Sequence, residues 1–150
     1  MVLGLAKRIF GGAVKEVKAD YSGNKDFLEA VCAAAALVAA ADGDIEDCER
    51  QKIQKVITNH PKLGKMYKST DIEATSEAMF KRAKDKSGRQ QLARELEDIK
   101  GRPDATQMAE DVYLIAEDIA NADGEIEPVE QDMLAKIASK LGVDPKNFQF

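Results

Sequence analysis

Apolar residues recur along this chain at spacings of three and four, and no stretch alternates with period two, so every segment predicts helix. The expected fold class is all-α. A first helix over 2–19 sets Leu3, Ile9, Phe10, Val14 and Val17 on one face. Asn24 is a fair N-cap for a second helix over 25–41. Phe27, Leu28, Val31, Cys32, Leu37 and Val38 leave that helix little polar surface, which places it at the centre. A third helix over 47–58 carries Ile53, Val56 and Ile57, and ends where Pro61 disfavours helical geometry at His60.

The middle of the chain predicts two more helices. Thr70-Asp71-Ile72-Glu73 has the form of a capping box and opens a helix through Met79, Phe80 and Ala83 that stops near Gly88. Ser87-Gly88-Arg89-Gln90 opens the next, carrying Leu92, Leu96 and Ile99. Asp104 then starts a helix with Met108, Val112, Ile115 and Ile119 on its inner face. The last helix, 128–141, contributes Val129, Met133, Leu134, Ile137 and Leu141 and is closed by Gly142; a short tail through Pro145 folds back. These elements make a single-domain bundle of about seven helices.

The bundle contains a duplication. Residues 41–49 (Ala-Asp-Gly-Asp-Ile-Glu-Asp-Cys-Glu) return 81 positions later as residues 122–130 (Ala-Asp-Gly-Glu-Ile-Glu-Pro-Val-Glu). The likeness runs into the flanking helices, where Val31, Ala35 and Val38 fall opposite Val112, Ala116 and Ile119. The expectation is two pseudo-symmetric helix–acidic turn–helix units, about 25–58 and 105–141, separated by a helical insertion over about 62–101.

Composition narrows the class. At 150 residues the chain suits one domain able to bury about 68–70% of its unfolded surface. A net charge of −5, sparse aromatics and the absence of Trp argue against a nucleic-acid surface. No apolar run is long enough to span a membrane, and two cysteines form no disulfide framework, so a reduced cytoplasmic protein is expected. The chain has no phosphate-cradling glycine loop, nucleophile elbow or His-centred arrangement, and an enzyme is not expected.

The acidic turns carry the chemistry. Each sets carboxylates at four matched positions: Asp42, Asp44, Glu46 and Glu49, then Asp123, Glu125, Glu127 and Glu130. The pattern Asp-Gly-x-Ile-x-x-x-Glu matches the second half of a calcium-binding EF-hand loop, with Asp-Gly at the bend and the last Glu able to give two oxygens. Val38 and Ala40, or Ile119 and Asn121, stand where the first two ligands belong, so a true EF-hand is excluded. Backbone chemistry alone explains much of the pattern. The glycines end a helix, Pro128 suits a first helical position, Ile45 and Ile126 pack inward, and Glu49 and Glu130 complete a cap. Against that stands the use of Glu46 and Glu127 at the cap position, where shorter side chains are usual, and the repulsion among crowded carboxylates, which a cation relieves. All-oxygen donors favour Ca²⁺, Mg²⁺ or Mn²⁺ over zinc.

With these turns, the Ala-rich helix before the first of them and its overall length, the chain resembles the TerB family of tellurite-resistance proteins. The resemblance implies an all-helical cytoplasmic protein of the tellurium-resistance and stress-response system. It further implies metal binding at Asp42, Asp44, Glu46, Glu49, Asp123, Glu125, Glu127 and Glu130. It also implies association with other tellurite-resistance proteins, among them the membrane protein TerC, which would hold the chain at the inner membrane.

Other features have plainer readings. Cys48 begins a helix, but its equivalent is Val129, which favours a packing role; Cys32 belongs to the core, and His60 to a helix end. The first helix, with Lys7, Arg8, Lys15 and Lys18, covers the core more naturally than a membrane surface. A basic middle section from Lys62 to Arg89 separates the acidic turns, so charged faces could recognise partner proteins without any ion.

Overall fold

The computed structural model describes residues 25–99 and 105–148, apart from Asp42, Asp44 and Asp123. The helix expected over 2–19 and the Asp104 helix start lie outside the described residues. Within them the chain forms seven α-helices and no strand: α1 (Lys25–Ala39), α2 (Asp47–Asn59), α3 (Pro61–Met66), α4 (Ser69–Arg82), α5 (Lys86–Glu97), α6 (Ala105–Ala120) and α7 (Pro128–Leu141). A 3-10 turn over Pro145–Phe148 follows.

Helix α1 is the axis of the fold. Every residue from Phe27 to Ala39 except Glu29 is buried. Such a helix is stable only when surrounded, and α1 packs against α4, α5, α6 and α7, with lighter contact to α2. The run Ala33 to Ala36 is wholly inaccessible, because small side chains let neighbouring helices approach closely on several sides. Phe27, Ile72, Leu92, Leu96, Met108 and Ile137 complete the centre of one continuous core.

Several local starts differ from expectation. Pro61 does force His60 into an extended conformation (φ −61°, ψ 125°), but the chain re-enters helix at once. Proline suits a first helical position, and α3 exists to bury Leu63. The Thr70–Glu73 capping box is not used. Helix α4 begins at Ser69 because the amides of Asp71 and Ile72 both donate to the carbonyl of Lys68 at 3.0 Å, which makes Lys68 the cap. Nor does α4 reach Gly88. It ends at Arg82, and Asp85, rather than Ser87, caps α5 by accepting the Gly88 N–H at 2.6 Å. Gly88 is therefore inside the helix, and a Cβ there would overlap the Arg82 carbonyl.

The last helix follows expectation at both ends. Pro128 is its first residue, and Gly142 closes it in the left-handed region (φ 76°). The amides of Gly142 and Val143 donate to Ser139 and Ala138 in a Schellman arrangement, which satisfies the final carbonyls. Val129, expected in the core, is 42% exposed.

Candidate functional site

The two acidic turns have the same backbone construction. In the first, Ala41 N–H donates to Val38 O at 3.2 Å and Gly43 N–H to Ala40 O at 3.0 Å; in the second, Ala122 donates to Ile119 at 3.2 Å and Gly124 to Asn121 at 2.9 Å. Gly43 and Gly124 take positive φ, 119° and 86°. A Cβ on Gly43 would meet nothing within 4 Å, so the dihedral, not the space, requires glycine there. Glu46 and Glu127 then cap the exiting helices with nearly equal extended geometry (φ −79°, ψ 154° and φ −71°, ψ 155°). Ile45 and Ile126 pack against the core from the loop, as the sequence predicts.

The turns differ in what their side chains hold. In the second, the Glu127 N–H donates to Glu130 Oε1 at 3.0 Å, so Glu130 closes the helix start. In the first, Arg50 reaches away from the turn: it pairs with Asp47 at 3.2 Å and with Glu77 on α4 at 2.9 Å, and Gln54 joins the same Glu77 at 3.2 Å. Helix α2 buries only Ile57 fully, whereas α7 buries Leu134, Ile137, Ala138 and Leu141. This cross-link to α4 therefore helps anchor an otherwise shallowly packed helix.

A cleft of about 340 Å³ lies beside the acidic turns, lined by residues of α1, α2, α6 and α7 and of the second turn. Val38 and Ala39 of α1, Ile53 and Val56 of α2, and Ile119 and Ala120 of α6 form its apolar floor. Its polar wall joins both turns: Glu49 and Lys52 come from α2, Glu125 and Glu127 from the second loop, and Glu130 from α7. Four carboxylates thus face one ammonium. Of the eight acidic residues singled out by sequence, these four share the cleft. Glu46 is exposed and is not among the lining residues; Asp42, Asp44 and Asp123 lie outside the described residues. Among the described residues no three His, Cys, Asp or Glu side chains converge closely enough to hold a metal ion.

The family model for tellurite resistance protein TerB matches residues 28–150. The chain belongs to the TerB family. No curated protein and no solved structure matches it. The match spans both acidic turns, so the residues that line the cleft lie within the matched region. No helix among the described residues is long and apolar enough to cross a membrane.

The TerB fold of this chain also buries titratable groups that sequence reasoning missed. Asp111 and Asp118 are buried on α6, seven residues apart and hence on one helix face. Gln107 donates to Asp111 at 3.0 Å. Asp118 Oδ2 makes no hydrogen bond among the described residues, and burial, reinforced by the charge of Glu117, pushes its carboxyl up to about 8. On the same helix Tyr113 donates to Glu117 at 3.2 Å, and burial with that neighbouring carboxylate pushes the phenol up to about 12. The duplication held the signal for Asp118, since its counterpart is the apolar Leu37. His60 is buried as well, with Nδ1 accepting the Leu63 N–H at 3.5 Å, and desolvation lowers it to about 4. Burial pushes the Cys32 thiol up to about 12, in keeping with an inert core residue. Cys48, expected to pack, is instead exposed, with Sγ 3.7 Å from Glu46 Oε2, because the second position of α2 points to solvent.

Proposed function

We propose that this member of the tellurite-resistance TerB family is a non-enzymatic binding protein. Its acidic turns receive a divalent cation, and its cleft docks partner proteins of the resistance system in the cytoplasm. The observation that carries the reading is the single cleft walled by carboxylates from both turns, Glu49 on one side and Glu125, Glu127 and Glu130 on the other. Crowded carboxylates repel one another, and a hard cation relieves that repulsion through oxygen ligands, which suits Ca²⁺, Mg²⁺ or Mn²⁺.

Carboxylate oxygens are the donor type such an ion takes, but the described residues alone do not complete a site. One oxygen of Glu130 already serves the helix start, and the described carboxylates do not by themselves converge on a point. The ion-holding set therefore needs Asp42, Asp44 or Asp123 beside the glutamates, with water completing the shell and modest affinity as the consequence. Isothermal titration of Ca²⁺, Mg²⁺ and Mn²⁺ into chelator-stripped protein tests this, with Asp42→Asn and Asp123→Asn as controls. Saturable heat that the controls abolish is expected; no heat at millimolar ion removes the cation from the reading.

A second reading, docking without any ion, is favoured by the apolar floor of the same cleft. Val38, Ile53, Val56 and Ile119 have no part in coordinating a hard cation. Association with TerC at the inner membrane belongs under either reading, and co-purification of the two in the presence and absence of chelator separates them.

A further inference from the structure

The cleft between the turns combines two kinds of surface that one small ion does not use together. Its floor is aliphatic, built from Val38 and Ile119 at the ends of α1 and α6 and from Ile53 and Val56 along α2. Its rim is anionic, with Glu125 and Glu127 exposed at the mouth and Glu49 and Glu130 half-buried on opposite walls. Ligand pockets commonly run from about 300 to 1,000 Å³. At about 340 Å³ this one admits one or two side chains, not a large cofactor.

We propose that the cleft seats a short segment of a partner protein that inserts one large aliphatic side chain and lays an arginine across the carboxylate rim. Charge complementarity selects this occupant. Among the described lining residues a carboxylate-bearing ligand would meet four like charges and the single ammonium of Lys52, a mismatch that disfavours acidic partners. An arginine fits better than a lysine. Its planar guanidinium offers five donors and can bond two carboxylates at once, whereas an ammonium is a compact, strongly hydrated charge. The aliphatic insert follows from the floor, which offers no side-chain hydrogen-bonding group to a polar tip.

This inference rests on the reading that the cleft is the binding site, and it names the partner chemistry for that site. The test uses the full chain, methyl- and amide-labelled for NMR, in chelator. The probe is a synthetic helical peptide of Ala and Gln carrying one Leu and one Arg four residues apart. Two control peptides replace the Leu by Ser or the Arg by citrulline, which keeps shape and removes charge. Expected are shifts at the Val38, Ile53, Val56 and Ile119 methyls, with at least tenfold weaker binding for either control. The protein variant Glu125→Gln/Glu127→Gln, changed at two exposed positions and checked for an unaltered amide spectrum elsewhere, should weaken the parent peptide at least tenfold. Equal binding of the citrulline peptide, or indifference to the double variant, overturns the proposal. So does concentration-dependent dimerisation in sedimentation that shifts the same methyls without peptide, since the occupant would then be a second copy. Addition of Ca²⁺, Mg²⁺ or Mn²⁺ in place of chelator separates the two levels. Ion-induced shifts without peptide binding leave the cation reading standing and end this one. Peptide binding without ion effects does the reverse.

Discussion

Asp118 and Leu37, 81 positions apart at matching places in the sequence repeat, are both buried, one a carboxyl and the other an isobutyl group. Asp118 is pushed from about 3.8 up to about 8, chiefly by burial. Between those values the folded chain keeps a proton that the unfolded chain releases. The contribution of Asp118 to stability therefore falls as pH rises from about 4 to about 8 and levels off above. Asp118→Asn removes this ionisation and should raise stability at pH 8 relative to wild type by a few kcal/mol, at about 1.4 kcal/mol for each tenfold difference in proton affinity. The gain should vanish near pH 4. Urea unfolding at pH 4, 6 and 8 checks both the sign and the window; an equal effect at all three would contradict it.

His60 produces the opposite slope. Desolvation lowers it from 6.5 to about 4, so between those values the unfolded chain binds the proton that the folded chain refuses. Its contribution to stability is complete above about pH 6.5 and is lost as pH falls towards 4. In the wild type this loss runs against the gain from Asp118 over the same interval. Asp118→Asn should therefore unmask a steeper acid lability below pH 6.5, and adding His60→Gln should flatten it again. Midpoints of urea unfolding across pH 4–7 for the single and double variants measure the two slopes separately.

The corner between α4 and α5 gives a sharper structural test. The Arg82 carbonyl lies where a Gly88 Cβ would be, and the obstacle is backbone, which cannot swing aside as a flexible side chain could. Gly88→Ala should cost about 1–3 kcal/mol or more through forced displacement, although alanine is ordinarily the better helix former. Asp85→Ala, which removes the acceptor 2.6 Å from the Gly88 amide, should cost about 1 kcal/mol. Thermal unfolding of the two variants orders them; a stabilised Gly88→Ala would show that the corner is looser than this contact implies.

These cases mark what could be read from the chain and what could not. Helix α1 and helix α7 were legible nearly to the residue. Continuous apolar character identifies a central helix, while Pro128 and Gly142 act through their own backbone geometry. The acidic turns were legible for the same reason, since a positive φ at Gly43 and Gly124 is a local demand. Thr70–Glu73 misled because a capping pattern is only an offer, and the backbone ladder back to Lys68 outcompeted it. Gly88 reads as a breaker in isolation; the carbonyl that demands it is brought there by the chain reversal after Arg82. Cys48 and Val129 share an equivalent place, but equivalence does not say which way that place faces. The meeting of Glu49 with Glu125, Glu127 and Glu130 around an apolar floor is a product of tertiary packing, and no spacing encodes it.

Glu130 has two duties, and they can be separated. Its Oε1 accepts the Glu127 N–H at 3.0 Å and closes the start of α7, while its carboxylate also lines the cleft. Glu130→Gln keeps an oxygen acceptor for the amide and removes the charge; Glu130→Ala removes both. The alanine variant should lose about 0.5–2 kcal/mol of stability, as helix-start truncations do, while the glutamine variant should unfold within about 0.5 kcal/mol of wild type, in the range of neutral surface changes. On the proposed cation reading, both should bind divalent cation more weakly than wild type, because the cleft loses one of its four carboxylates in either case. Paired urea unfolding and calorimetric titration on the same samples resolve the two effects. Should Glu130→Gln bind cation as well as wild type, the carboxylate of Glu130 serves the helix start alone, and the cation belongs to the remaining residues of the turns.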